Sequence, residues 1–317
     1  MRRLSGLVLL ALLAGCGQTP APAGEQAEGT PSAGATAARP APATPAGPAP
    51  RAGSGVKVVA VGDIACEPGR RASLDTCRQR ATARLTERIG PKRVIVLGDN
   101  QYDDGALASY RRSYDASWGR FKGRTLPVPG NHEYLTSNAQ GYLDYFGITG
   151  PAYRAANVGT WRVYLLDSNC DQIDCAAEKA WLRRDLAAHP VACSAIAMHH
   201  PRYSSGKEHG STVAMAGLWT VAFNHGVDLA LAGHEHNYER FAPMDGRGHQ
   251  VSEGITSFVV GTGGKSKYAK GARVPGSRYF RNDRFGVLAL NLGDGEFAWR
   301  FKMIGGGVRD AGSASCH

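Results

Sequence analysis

Short apolar runs, each closed by glycine and then by an acidic or imidazole side chain, set the pattern of the chain from residue 56 onward. Val56-Lys57-Val58-Val59-Ala60-Val61 runs into Gly62-Asp63, and Arg93-Val94-Ile95-Val96-Leu97 runs into Gly98-Asp99-Asn100. Continuous apolar runs of this length predict buried strands that deliver a polar residue at their C-terminal ends. The pattern recurs at 161–166 before Asp167, at 195–198 before His199, and at 227–232 before Gly233-His234. The intervening stretches predict helices over 75–89, 106–120, 176–188 and 212–225. Beyond residue 239 the helical signals stop, and 255–260, 285–292 and 296–303 read as strands. Mixed strand and helix order followed by a β-rich tail predicts an α/β fold of layered sheets covered by helices. Polar residues at successive strand ends gather on one edge of such a sheet, where loops are free to bind ligands. That edge is the predicted site.

Upstream of residue 56 the pattern is of another kind. Met1-Arg2-Arg3 followed by the apolar stretch from Leu7 to Ala14 has the basic start and short apolar core of an export signal. Leu13-Ala14-Gly15-Cys16 resembles the lipobox of bacterial lipoproteins, which implies removal of residues 1–15, lipid attachment at Cys16 and anchoring to a membrane. Eight of the 17 prolines fall between residues 20 and 50, in an Ala/Pro/Gly/Thr-rich run without apolar periodicity. Residues 16–55 are therefore expected to be an extended spacer. Residues 56–317 are expected to form the folded domain, long enough to bury a sizeable core.

Composition narrows the class. The chain has 317 residues, 43% hydrophobic and 20% charged, which suits a globular protein and excludes both a multi-span membrane protein and a wholly disordered one. The formal net charge of +10 favours an anionic substrate weakly, because the basic residues are scattered. No long basic run with interleaved aromatics is present, so nucleic acid is not an expected partner. With Cys16 set aside, six cysteines remain, at 66, 77, 170, 175, 193 and 316. An even number in an exported chain predicts disulfides. The short separations pair Cys66 with Cys77 and Cys170 with Cys175, leaving Cys193 for Cys316.

Five local patterns carry the chemistry: Gly62-Asp63, Gly98-Asp99-Asn100-Gln101-Tyr102, Gly130-Asn131-His132-Glu133, Met198-His199-His200-Pro201 and Gly233-His234-Glu235-His236. Taken alone, a Gly-Asp after a strand is usually a turn. Five in order, each after a strand signal and each supplying an oxygen or nitrogen ligand, point to a metal site. Six of the ten histidines lie in or near these patterns.

The constellation resembles that of the calcineurin-like metallophosphoesterases, and among them the purple acid phosphatases, over residues 56 to about 265. The resemblance implies a four-layer α/β/β/α sandwich of two mixed sheets flanked by helices, with two metal ions at the sheet edge. Carried over motif by motif, it places Asp63, Asp99, Tyr102 and His236 on one metal, and Asp99, Asn131, His199 and His234 on the other, with Asp99 bridging. Tyr102 is the discriminating position, since most metallophosphoesterases lack a tyrosine ligand three residues after the bridging aspartate. Its presence implies Fe(III) there and a divalent Fe, Zn or Mn in the second place. Hard carboxylate and phenolate oxygens suit trivalent iron, and imidazole, amide and bridging carboxylate suit a divalent ion. His132, next to Asn131, is implied as a phosphate contact or proton donor. Glu208-His209-Gly210 is similar to a segment of the smaller purple phosphatases whose histidine contacts substrate. At His199-His200 the family pattern fixes one ligand, and strand phase with the following Pro201 selects His199. Residues 17–55 cannot form the separate β-sandwich domain of the large plant enzymes.

The expected function is hydrolysis of a phosphorylated small molecule, a phosphate monoester, outside the cytoplasm. The rival expectations are a phosphodiester or nucleotide substrate on the same fold, and a non-catalytic envelope protein that keeps the fold for binding.

Overall fold

The computed structural model describes residues 55–317. The export signal expected over 1–15, the Cys16 anchor and all but the last residue of the spacer lie outside them. In chain order the first elements are β1 (Val56–Val61), α1 (Gln79–Ile89), β2 (Arg93–Leu97), α2 (Leu107–Ser109), β3 (Thr125–Val128), α3 (Gln140–Phe146), β4 (Arg154–Val158) and β5 (Trp161–Leu165). There follow α4 (Cys175–Ala188), β6 (Ser194–Ala197), α5 (Ala216–Asn224), β7 (Leu229–Ala232), β8 (Tyr238–Phe241), β9 (Thr256–Val260), β10 (Ser277–Arg281), β11 (Gly286–Leu292), β12 (Glu296–Met303) and β13 (Val308–Ser315).

The strands form two mixed sheets, one in the order β13-β12-β11-β1-β2-β3 and one in the order β10-β8-β9-β7-β6-β5-β4. β1, β2 and β3 are parallel, as are β5, β6, β7 and β9, and the remaining strands extend these blocks antiparallel. Exposure follows the pairing. β6, β7 and β9 are buried along their whole length, as expected for parallel strands covered on both faces, whereas β12 alternates core-facing Phe297, Trp299, Phe301 and Met303 with more exposed residues. One apolar cluster joins the facing surfaces of the two sheets, through Val58, Leu165, Leu231, Phe258 and Leu290, and continues to Ala83, Leu85 and Ile89 of α1. A second packs Leu182 and Leu186 of α4 and Leu218 and Trp219 of α5 on Tyr164 and Ile196 of the second sheet. The result is the expected four-layer α/β/β/α arrangement.

Three disulfides pair Cys66 with Cys77, Cys170 with Cys175 and Cys193 with Cys316, the pairing expected from the sequence. The first shortens a predicted helix: α1 starts at Gln79, because the residues before it are held to the loop after β1. The helix expected over 106–120 is broken into α2, a π-helical turn over Tyr110–Tyr114 and a 3-10 segment over Gly119–Arg124. Here tertiary bonding overrides local preference, since the Tyr114 amide donates to Gln101 Oε1 and the Tyr110 ring stacks on Tyr145. No helix among the described residues is long and apolar enough to cross a membrane.

Candidate metal centre

Five parallel strands end at one edge, and hydrogen bonds among the residues that follow them tie the two sheets together there. Asp63 follows β1, Asp99 follows β2, Asn131 follows β3, His199 follows β6, and His234 and His236 follow β7. Asp63 (φ 60°), Asp99 (φ 45°) and His234 (φ 71°) have left-handed backbone, which is costly for non-glycine residues and bends each side chain out of its strand direction. Gly98 (φ 81°) is required beside them, because a Cβ at this position would enter the His199 ring.

Two sets of donor atoms result. In the first, the Tyr102 hydroxyl lies 2.9 Å from Asp63 Oδ1, 2.9 Å from Asp99 Oδ2 and 3.0 Å from His236 Nε2. In the second, His199 Nε2 lies 3.1 Å from Asn131 Oδ1, 3.1 Å from His234 Nδ1 and 3.4 Å from Asp99 Oδ1. Asp99 thus gives one oxygen to each set. Donor atoms about 2.0–2.2 Å from a common ion stand about 3.0–3.5 Å from one another, so both sets have the spacing that a metal ion requires.

The electrostatics favour the same conclusion. Burial, with the Asp63 and Asp99 carboxylates beside it, pushes the Tyr102 phenol well above its ordinary value, so only a strong local cation would ionise it. Burial opposes charge on Asp99, but His199 outweighs it and holds that carboxyl well below the usual range. Burial likewise opposes charge on His199, and Asp99 overcomes it to push the imidazole up to about 9. A metal at this position would take the place of that proton. Burial and His199 push His234 well below its ordinary value, leaving its lone pair available. Neighbours fix which nitrogens can ligate. His199 Nδ1 donates to the Leu97 carbonyl at 2.8 Å, so Nε2 is the nitrogen left to face the other donors, and His236 Nδ1 pairs with Ser266 Oγ at 2.7 Å while Nε2 faces the centre.

His132 and His209 lie outside both sets. The His132 ring packs against Tyr102 at 4.4 Å, its Nδ1 donates to the Asp103 carbonyl, and its Nε2 is 3.9 Å from Asp99 Oδ2. The His209 ring stacks on His234 at 4.0 Å. His200 is set beside His234 with ring centres 4.4 Å apart, and its Nδ1 meets Ser168 Oγ at 2.8 Å.

Residues 56–238 match the family described as calcineurin-like phosphoesterase. The chain belongs to the calcineurin-like phosphoesterase family. It is similar to tartrate-resistant acid phosphatase type 5 of Sus scrofa, with 25% identity over 245 residues, 64% of this chain and 70% of that protein. It is also similar to purple acid phosphatase 23 of Arabidopsis thaliana, with 27% identity over 193 residues, 47% of this chain and 42% of that protein. The purple acid phosphatase PPD1 from yellow lupin seeds (Lupinus luteus) shares the fold, with a TM-score of 0.64 and 19% identity over 83% of this chain and 54% of that chain. The chain therefore spans about half the length of these two plant proteins. The family match places the chain among the calcineurin-like phosphoesterases, and purple acid phosphatases are among the proteins it is similar to.

Around this centre the fold adds residues to which the motifs assigned no role. The buried Glu133 carboxylate accepts from the amides of Asp99, Asn100, Gln101 and Gly130 and from the Tyr110 hydroxyl. Burial and the Asp99 charge push it up to about 8, against the pull of the Gly130 amide. Buried Glu235 accepts from the amides of His209 and Gly210 at 2.6 Å each and so carries the His209 loop. The Tyr268 ring stacks on His236 at 3.8 Å, and Lys265 Nζ sits over the Tyr102 ring. Gly261-Thr262-Gly263-Gly264 is a tight turn, with Gly263 donating to the Gly62 carbonyl behind Asp63. Asp167, expected at the site edge as a strand-end residue, lies outside both donor sets and accepts from Tyr134 and Asn169.

Proposed function

We propose that the chain hydrolyses phosphate monoesters outside the cytoplasm at a dinuclear metal centre, with Fe(III) in the set containing Tyr102 and a divalent Fe, Zn or Mn in the set containing Asn131. The observation that carries this reading is Asp99, whose two oxygens divide between the sets while a phenol belongs to one set only. Two ions held there would supply Lewis-acid charge to a phosphoryl group and lower the pKa of a water molecule. The chain's own residues supply position and protons. Across the two sheets the His234 amide donates to Asp63 Oδ2 and His199 Nδ1 donates to the Leu97 carbonyl, while His236 is held by Ser266 from a loop of its own sheet. His132, with Nδ1–H fixed on the Asp103 carbonyl, turns Nε2 towards the centre, 3.9 Å from Asp99 Oδ2, where it can serve a leaving alkoxide as proton donor. His209, stacked on His234, brings a second imidazole to the rim for a substrate oxygen. The likeness to the pig protein, an acid phosphatase, supports the monoester reading.

Three disulfides fit an oxidising compartment. With the basic start and Leu13-Ala14-Gly15-Cys16, they support export and lipid attachment at Cys16, with the spacer holding the domain off the membrane. The test of the centre is colour. Iron-loaded protein should absorb visible light through an iron–phenolate pair, and Tyr102→Phe should abolish the band while sparing some monoester hydrolysis. A colourless, iron-free protein with two metals, or a band that survives the substitution, contradicts the reading. A panel of monoesters and diesters, assayed on the same preparation, should show preference for the monoesters.

A further inference from the structure

Beside the ligand His199 stands a second imidazole, His200, whose two nitrogens can be assigned by counting bonds at one hydroxyl. Ser168 Oγ accepts the backbone N–H of His199 at 3.2 Å and that of His200 at 2.9 Å. A serine hydroxyl has two acceptor lone pairs and one O–H, so both lone pairs are used. Its 2.8 Å contact with His200 Nδ1 is then the O–H donating to a bare Nδ1. Neutral His200 must carry its proton on Nε2, the opposite tautomer to His199, whose Nδ1–H is fixed by the Leu97 carbonyl. Neither nitrogen of His200 is left with a lone pair for a metal. Its Nε2–H has no protein partner among the described residues, and the half-buried ring lies 4.4 Å from His234 and 5.0 Å from His199.

We propose that His200 is a neutral hydrogen-bond donor to a substrate phosphoryl oxygen on the side of the centre formed by His199 and His234, held in the donating tautomer by Ser168. This rests on the phosphoesterase reading above and adds to it a substrate contact outside the two ligand sets.

Three measurements on the full chain separate the possibilities. In histidine-labelled protein, nitrogen NMR should show His200 protonated at Nε2 and bare at Nδ1, and Ser168→Ala should release that preference. A wild-type Nδ1–H tautomer overturns the proposal. In metal-loaded protein, His200→Ala should keep two metals per chain, weaken orthophosphate binding by calorimetry, and lower kcat/KM about 10- to 100-fold, the worth of a hydrogen bond to a charged group. His200→Gln, which retains an N–H donor, should lie between the wild type and His200→Ala in both readings. Loss of a metal in His200→Ala, or phosphate affinity equal to that of the wild type, overturns the proposal alone. A metal-loaded wild type that neither binds orthophosphate nor hydrolyses monoesters overturns the phosphoesterase reading as well.

Discussion

His132 stands at the centre without joining it, and its surroundings fix what it can do. One nitrogen is tied to the Asp103 carbonyl and the other faces Asp99 at 3.9 Å, so removing the ring should remove a proton donor and leave every donor atom of the two sets in place. His132→Ala should therefore keep its metals and lower kcat by about 10²- to 10⁴-fold for esters with poor leaving groups. Loss should be small for leaving groups that need no proton, and equal losses across the series would indicate phosphate positioning instead. At this scale the sequence was informative for a physical reason. A ligand must be an oxygen- or nitrogen-bearing side chain at a strand end, and Asp63, Asp99, Asn131, His199 and His234 stand in such places in chain order, a pattern that spacing can reveal. Glu133 and Glu235 were present in those motifs, but their partners are backbone amides. Every residue has such a group, so no spacing announces the bond.

The turn after each strand is the unit that aims a ligand. Gly98 is such a unit: it has left-handed backbone, and its missing side chain leaves room for the His199 ring from the other sheet. Gly98→Ala should cost about 1–3 kcal/mol in denaturant unfolding, from backbone strain and the displaced ring. It should also lower metal content, because His199 would lose its bond to Leu97. A variant with wild-type stability and full metal content would show that the close approach of the two turns is not needed. Elements were legible where burial wrote a continuous apolar run, as in β1, β2 and β7. They were illegible where partners decide. β13, with the sequence Val-Arg-Asp-Ala-Gly-Ser-Ala-Ser, has little strand character of its own and is held by pairing with β12. The helix expected over 106–120 broke because Gln101, from the loop before it, and Tyr145, from α3, bind its middle.

Across the whole molecule, the layer order and all three disulfides could be anticipated because they follow from strand–helix alternation and from cysteine spacing, whereas the buried acids of the interior could not. Glu178 of α4 is fully buried, with Oε1 accepting from the Asp167 amide and Oε2 unpartnered. Burial pushes it up to about 9 from an ordinary 4.5. The folded chain then binds a proton that the unfolded chain releases, so this group's contribution to stability is complete below about pH 4.5 and is lost as pH rises towards 9. Glu178→Gln should flatten the fall of the unfolding midpoint between those limits, and an unchanged slope would place its source elsewhere. The central claim, however, is that one carboxylate joins two metal sites across two sheets. Metal content per chain, measured on the wild type and on Asp99→Ala, tests it most directly. Two ions in the wild type and loss of both in the variant are expected. A wild type holding a single ion, or a variant retaining two, would contradict a centre shared at Asp99.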